Sequence, residues 1–145
     1  MTKKELELAG AIMYKCEGSR PRHNKPHSNT IYYGIEFTNS DPVLIQIFLK
    51  FLRGIIKIEE RRLKCELFIY SDLEKEKIEN FWSLITKIPL NRFHKTIVYQ
   101  AKNPKYKPNL LGTCKIRYIN KEAYLKLNEI IKKKLGQEAG FRLIK

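Results

Sequence analysis

The chain has 145 residues, of which 43% are hydrophobic and 30% are charged, and its formal net charge is +14 at pH 7. This length can bury a core without disulfides or a structural metal, so we expect one domain over 1–145, with 136–145 as a flexible tail. The apolar runs are too short to span a membrane, and charged residues replace the apolar segment of a signal peptide. We therefore expect an intracellular protein that is neither secreted nor membrane-bound.

The positive charge is concentrated in the second half of the chain. Residues 80–121 contain no Asp or Glu but nine Lys and Arg residues. Such clustering predicts a surface for an anionic partner, for which nucleic acid and an acidic membrane are the usual choices. The cysteines, Cys16, Cys65 and Cys114, have no zinc-ligand spacing and are predicted to be buried free thiols.

Apolar residues spaced three and four apart predict a first helix over 2–16, ended by Gly18. Gly10 lies on its apolar face and indicates that another backbone approaches closely, because glycine destabilises an exposed helix by about 1 kcal/mol. The following segment, 19–29, contains two prolines and no apolar residue. That composition is typical of an exposed loop or a loosely paired ribbon.

Alternating hydrophobicity further along the chain predicts strands. These strands cover 30–38, 62–70, 93–100 and 113–119, with a basic loop at 101–111. Helical periodicity predicts helices capped by Asp41 with Pro42 in the first turn, by Ser71 with Glu74 as a capping box, and by Asn120.

Helices on one face of a largely antiparallel sheet make an α+β domain. The other face would then carry basic residues interleaved with an aromatic one: Tyr32, Arg62, Lys64, Lys115 and Arg117. A twisted β surface of this kind fits a DNA groove, where long side chains reach base edges and loops hold phosphates. The basic loop after Gly18 adds Arg20, Arg22 and Lys25 as candidate DNA contacts.

Residues 8–19 read Leu-Ala-Gly-Ala-Ile-Met-Tyr-Lys-Cys-Glu-Gly-Ser. This stretch resembles the LAGLIDADG motif of the homing endonucleases. The element order that follows is similar to that family's helix-strand-strand-helix-strand-strand-helix half, with one helix added at 72–86. Two positions depart from the motif, because Ile12 stands where a small residue is expected and Lys15 where a second acid is expected.

The resemblance implies a homing-type, sequence-specific DNA endonuclease that uses Mg²⁺ or another hard divalent cation. Glu17 takes the position of the metal-binding acid, and Lys95 is a candidate for stabilising charge at the cleaved phosphate. One motif per chain implies a homodimer on double-stranded DNA. The implied interface residues are Ala9, Gly10, Met13 and Cys16. A non-catalytic DNA-binding regulator and an RNA-binding intron maturase on the same fold stay open as alternatives.

Overall fold

The computed structural model describes residues 1–23, 30–100 and 110–136, with only the backbone described at 22 and 23. The helices are α1 (Lys3–Glu17), α2 (Pro42–Phe51), α3 (Lys75–Thr86) and α4 (Lys121–Leu135). The strands are β1 (Arg22–His23), β2 (Ile31–Tyr32), β3 (Gly34–Asn39), β4 (Lys64–Tyr70), β5 (Ile97–Tyr99) and β6 (Thr113–Ile119). Most of the predicted basic loop and nearly all of the predicted tail lie outside the described residues.

The fold is α+β, as predicted. The order of strands in the sheet is β3-β6-β4-β5. Neighbouring strands are antiparallel except β4 and β5, which are parallel, and β1 pairs with β2 as a short separate ribbon. This ribbon matches one of the two structures predicted for the segment after α1.

The hydrophobic core lies between the sheet and the helices. Every second residue of the three longer strands points into it and is buried: Ile35, Phe37, Cys65, Leu67, Ile69, Cys114, Ile116 and Tyr118. Trp82 of α3 is also buried, and its indole N–H donates to the carbonyl of Leu111 at 2.7 Å. Alternation in the sequence therefore predicted the inward side of these strands correctly.

The α1 helix begins at a capping box between Thr2 and Glu5 and ends at Gly18. It packs against α2 and α4. Gly10 is buried in this packing, and a Cβ added there would lie 2.2 Å from the ring of Phe51. Close approach at Gly10 is therefore real, but the neighbour is an aromatic side chain of the same chain rather than another backbone.

The predicted caps of two helices are confirmed, and one is wrong. Asp41 accepts from the backbone of the first turn of α2, and Asn120 does the same for α4. The α3 helix instead begins at Lys75 without a side-chain cap. The backbone N–H of Ser71 donates to the carbonyl of Tyr99, so Ser71 extends the β4–β5 pairing instead of capping a helix.

The three cysteines are free thiols, but only two of them are buried. Cys65 and Cys114 lie in the core with their sulfur atoms 3.3 Å apart. Cys16 is exposed, so the prediction of burial is wrong there, because α1 turns this residue away from the core. Among the described helices, none is long and apolar enough to cross a membrane.

Candidate nucleic-acid interface

The outer face of the sheet, on the side away from the helices, is an array of charged side chains. One row across β3, β6 and β4 contains Glu36, Arg117 and Lys64, and the next row contains Thr38, Lys115 and Glu66. Opposite charges therefore stand next to each other at Glu36 and Arg117 and at Lys115 and Glu66, whereas Lys64 and Arg117 are neighbouring like charges. Cross-strand pairs of opposite charge stabilise an antiparallel sheet.

Two ion pairs on this face differ in geometry. Arg117 Nε donates to Glu36 Oε2 at 2.7 Å, whereas Lys115 Nζ lies 3.8 Å from Glu66 Oε1. Lys115 Nζ also lies 5.3 Å from the ring centroid of Phe68, which is within cation–π range. Partial burial alone would lower the pKa of Arg117, but the hydrogen bond and charge of Glu36 outweigh it, and the pKa is raised.

A concavity of about 370 Å³ opens at one end of the outer face, where β6 ends and β4 begins. The described residues that line it are Arg61, Arg62, Lys64, His94, Arg117 and Ile119. None of these lining residues is a carboxylate. Arg117 and Arg61 are paired with the carboxylates of Glu36 and Glu59, whereas Arg62 and Lys64 make no ion pair within the described residues. The opening therefore keeps a net positive charge, which is suited to a phosphate group.

Local structure fixes the rim of this concavity. A 3₁₀ turn, Glu60–Arg62, precedes β4 and ends in Arg62. Arg62 Nη2 donates to the carbonyl of Ile119 at 2.8 Å, which ties it to the end of β6. The backbone N–H of His94 donates to the carbonyl of Cys65 at 2.8 Å and holds His94 beside β4.

Three predicted DNA contacts, Arg62, Lys64 and Arg117, meet at this concavity. Lys115 lies one row away on the same face. Lys64 makes no ion pair within the part of the chain that the structure describes, so its charge is available to a ligand. The sequence pattern thus predicted the main cationic residues of the outer face.

Among the other predicted DNA contacts, Tyr32 and Arg20 are not lining residues of the concavity. The Tyr32 hydroxyl is 3.5 Å from Glu36 Oε2. Arg20 is exposed on the segment that follows α1, and Arg22 pairs through its backbone with Tyr32. Lys25 lies outside the described residues.

Sequence reasoning missed three residues of this face, Arg61, His94 and Glu36. Arg61 is adjacent to Arg62 and a charge count could have included it. His94 has no motif partner in the sequence, and no pattern there indicates its position. Alternation along the strand at 30–38 directs Glu36 outward, but its burial was not predicted, since only 6% of the residue is exposed.

Glu17, the predicted metal-binding acid, is the last residue of α1 and is exposed. The segment after it is fixed to β3. The Tyr14 hydroxyl donates to the Ser19 carbonyl at 2.7 Å, and the Ser19 N–H donates to the Glu36 carbonyl at 3.1 Å. Glu17 is therefore held beside the sheet at the negative end of the helix dipole, where a cation is favoured.

The described residues do not supply a complete metal site at Glu17. Within the described residues, no group of three or more His, Cys, Asp or Glu side chains could hold a metal ion. Mg²⁺ prefers about six oxygen ligands, so Glu17 fits as one ligand of a site that the described residues do not complete. Lys95 is exposed and is not among the residues lining the concavity.

The four residues of the predicted dimer interface differ in exposure. Gly10 is buried against Phe51, and Met13 packs on the core of its own chain. Ala9 is half-buried, and Cys16 alone among the four is exposed. Ala11 and Tyr14, which are not among the predicted interface residues, are in the core.

The side of α1 that faces away from the core carries Leu8, Ile12 and Cys16, spaced four residues apart. Leu8 is 42% exposed and Ile12 is 44% exposed. An apolar line of this spacing forms one stripe along a helix. We call these three residues the α1 stripe, and it runs toward Glu17.

Comparison of the chain with protein-family models, curated proteins and solved structures finds no match in any of the three. Assignment of function therefore depends on the residues and geometry described above.

Proposed function

We propose that this chain binds duplex DNA through the outer face of its sheet, as a homodimer with a LAGLIDADG-like arrangement. The observation that carries the proposal is the concavity, which is lined by four Lys and Arg side chains and continues into the charged rows of the same face. Two of these four side chains make no ion pair within the described residues. Phosphate contacts supply most of the affinity of DNA-binding proteins, and long side chains on strands reach base edges in the major groove.

The α1 stripe supports the dimer. Large apolar side chains exposed in line along one helix are typical of a contact with another helix, since burial of each side chain contributes about 1.5–3 kcal/mol. Ile12 occupies the motif position where a small residue was expected, so the two helices would pack through larger side chains. Contact along this stripe would bring the two Glu17 residues toward each other.

We further propose that the dimer cleaves DNA, with Glu17 as the catalytic carboxylate. Its exposure at the end of the α1 stripe, on a segment fixed to β3, is the specific observation in favour. Mg²⁺ held by Glu17 of both copies would supply positive charge at the cleaved phosphate. The residues of this chain would contribute a carboxylate beside the sheet and a surface that orients the DNA.

Binding is tested by removing one charge from each side of the domain. Lys64→Ala should weaken duplex binding and reduce the slope of log affinity against log salt concentration by about 1. Lys50→Ala is the matched control, because Lys50 is an exposed lysine on α2 in the helical layer. Equal losses from both variants, or tighter binding of structured RNA than of duplex DNA, would refute the proposed interface.

The dimer is tested by placing a charge on the α1 stripe. Ile12→Lys should shift the protein from dimer to monomer in analytical ultracentrifugation without a change in its circular dichroism spectrum. Leu84→Lys is the control, since Leu84 is 79% exposed on α3 away from the stripe. A dimer that survives Ile12→Lys contradicts the proposed packing.

Cleavage is tested on duplexes selected by the protein from a randomised library. The unmodified protein should cut them when Mg²⁺ is added, and Glu17→Gln should bind them equally well and leave them intact. Bound but uncut DNA in every sample would leave the non-catalytic DNA-binding regulator as the function. Cutting by Glu17→Gln at the full rate would exclude Glu17 as the catalytic group.

A further inference from the structure

Glu36 is the most buried charged residue among the described residues, and it lies on the face where DNA is proposed to bind. Its neighbours Ile35 and Phe37 point into the core, so alternation directs Glu36 outward. It is nevertheless only 6% exposed. An acid in this position opposes the approach of phosphates, so its presence on a cationic face requires a reason.

Glu36 holds Arg117 in place. The two residues are directly opposite in the β3–β6 register, and Arg117 Nε donates to Glu36 Oε2 at 2.7 Å. The Tyr32 hydroxyl lies 3.5 Å from the same oxygen. The two terminal nitrogen atoms of Arg117 make no hydrogen bond within the described residues, and Arg117 lines the open concavity. Because Glu36 holds Nε, the N–H groups of the two terminal nitrogen atoms remain available as a parallel pair of donors.

The central position of Arg117 in the sheet separates it from the two arginines at the rim of the concavity. Its strand, β6, lies between β3 and β4, whereas Arg61 and Arg62 lie on the turn that precedes β4. The negative charge of Glu36 also neutralises the charge of Arg117, which weakens the long-range attraction of Arg117 to phosphates. The terminal nitrogen atoms of Arg117 can still donate directional hydrogen bonds. Arg117 is thus better placed for base recognition than for phosphate binding.

We propose that Arg117, positioned by Glu36, is a specificity-determining residue that recognises guanine in the major groove. Guanine presents two adjacent acceptors, O6 and N7, which match the two terminal donors of a planar guanidinium. Adenine presents a donor beside N7, and cytosine presents a donor. Neither base can therefore accept hydrogen bonds from both terminal nitrogen atoms of the guanidinium. The inference rests on the proposed binding of duplex DNA.

The test is selection of duplexes from a randomised library, followed by affinity measurements on the selected site. Sites selected by the unmodified protein should contain a guanine whose replacement by adenine weakens binding about fivefold to a hundredfold. The double variant Glu36→Gln with Arg117→Gln keeps the net charge. It should lose preference at that position and keep its salt dependence.

The matched control is Glu66→Gln with Lys115→Gln, which removes the other ion pair on this face without changing net charge. This control should keep the guanine preference. The single variant Glu36→Gln leaves the charge of Arg117 uncompensated. It should bind all duplexes more tightly at low salt, increase the salt slope by about 1 and reduce discrimination against adenine.

A measurement on the unmodified protein makes the test independent of how the variants fold. Methylation of the recognised guanine at N7 should block binding, because N7 is one of the two acceptors. A selected site without such a guanine, or binding that tolerates methylation at every guanine, overturns the inference while duplex binding stands. Failure to bind any duplex overturns the proposed function and this inference together.

Discussion

The two faces of the sheet are built from the same strands but depend on different forces. On the inner face of β4 and β6, Leu67 and Ile116 are fully buried beneath the helices. On the outer face, Lys64 and Lys115 are half-buried, and their neighbours are other charged groups. The inner face therefore determines whether the chain folds, whereas a half-buried charge of the outer face such as Lys64 can be removed with little effect on folding.

The largest expected difference between the faces comes from shortening one side chain on each side of β4. Leu67→Ala removes buried methyl groups and leaves a cavity, so the free energy of unfolding should fall by about 2–5 kcal/mol. Lys64→Ala, three residues earlier on the outer face, should change it by less than about 0.5 kcal/mol. Urea unfolding of both variants measures the difference. Comparable losses would show that the outer face also contributes to the core.

The two sides of α1 differ in the same way as the two faces of the sheet, because one side is buried in the core and the other is exposed. Gly10→Ala places a Cβ 2.2 Å from the Phe51 ring, so the free energy of unfolding should fall by about 1–3 kcal/mol as the neighbours shift. Gly54→Ala is the control, because a Cβ there meets nothing within 4 Å. It should be neutral or stabilise by up to about 1 kcal/mol. If the Gly10→Ala protein is as stable as the unmodified protein but no longer dimerises, Gly10 belongs to the dimer interface as the sequence predicts.

The sequence was sufficient for the parts of the fold that depend on local periodicity. The ends of β6 and the caps at Asp41 and Asn120 agree with the structure, because alternation and capping need only neighbouring residues. The exposed side of α1 could not be predicted in this way. This helix has apolar residues on both sides, and only packing against α2 and α4 determines which side is buried.

The sequence was enough to predict the positive charge of the candidate site, but not the burial of Glu36 or the position of His94. Alternation was enough to direct Lys64 and Arg117 outward. Burial of Glu36 depends on Arg117, which is 81 residues away, and on the register between β3 and β6. His94 joins the concavity only because its backbone pairs with Cys65. Long-range pairing of this kind leaves no periodic signal in the sequence.

The smallest expected effect concerns Glu60, in the turn that joins the helical layer to the outer face. Arg53 Nε and Nη2 donate to its two carboxylate oxygens at 2.9 and 2.7 Å. The hydrogen bond and charge of Arg53 outweigh the opposing effect of burial and lower the pKa of Glu60 from its ordinary value of 4.5. The folded state therefore binds this proton less readily than the unfolded state.

A lowered pKa means that the pair stabilises the fold above about pH 4.5 and that this contribution is lost as the pH falls through the folded value. Because the side chain of Glu60 is 46% exposed, solvent screening limits the contribution to less than about 1 kcal/mol. Glu60→Gln should therefore be less stable than the unmodified protein at pH 6, and the two should converge at pH 3 in urea unfolding. Glu59→Gln, which removes an exposed pair with Arg61, should follow the unmodified protein more closely at both pH values. A constant difference between Glu60→Gln and the unmodified protein from pH 6 to pH 3 would show that Glu60 acts through packing rather than through its charge.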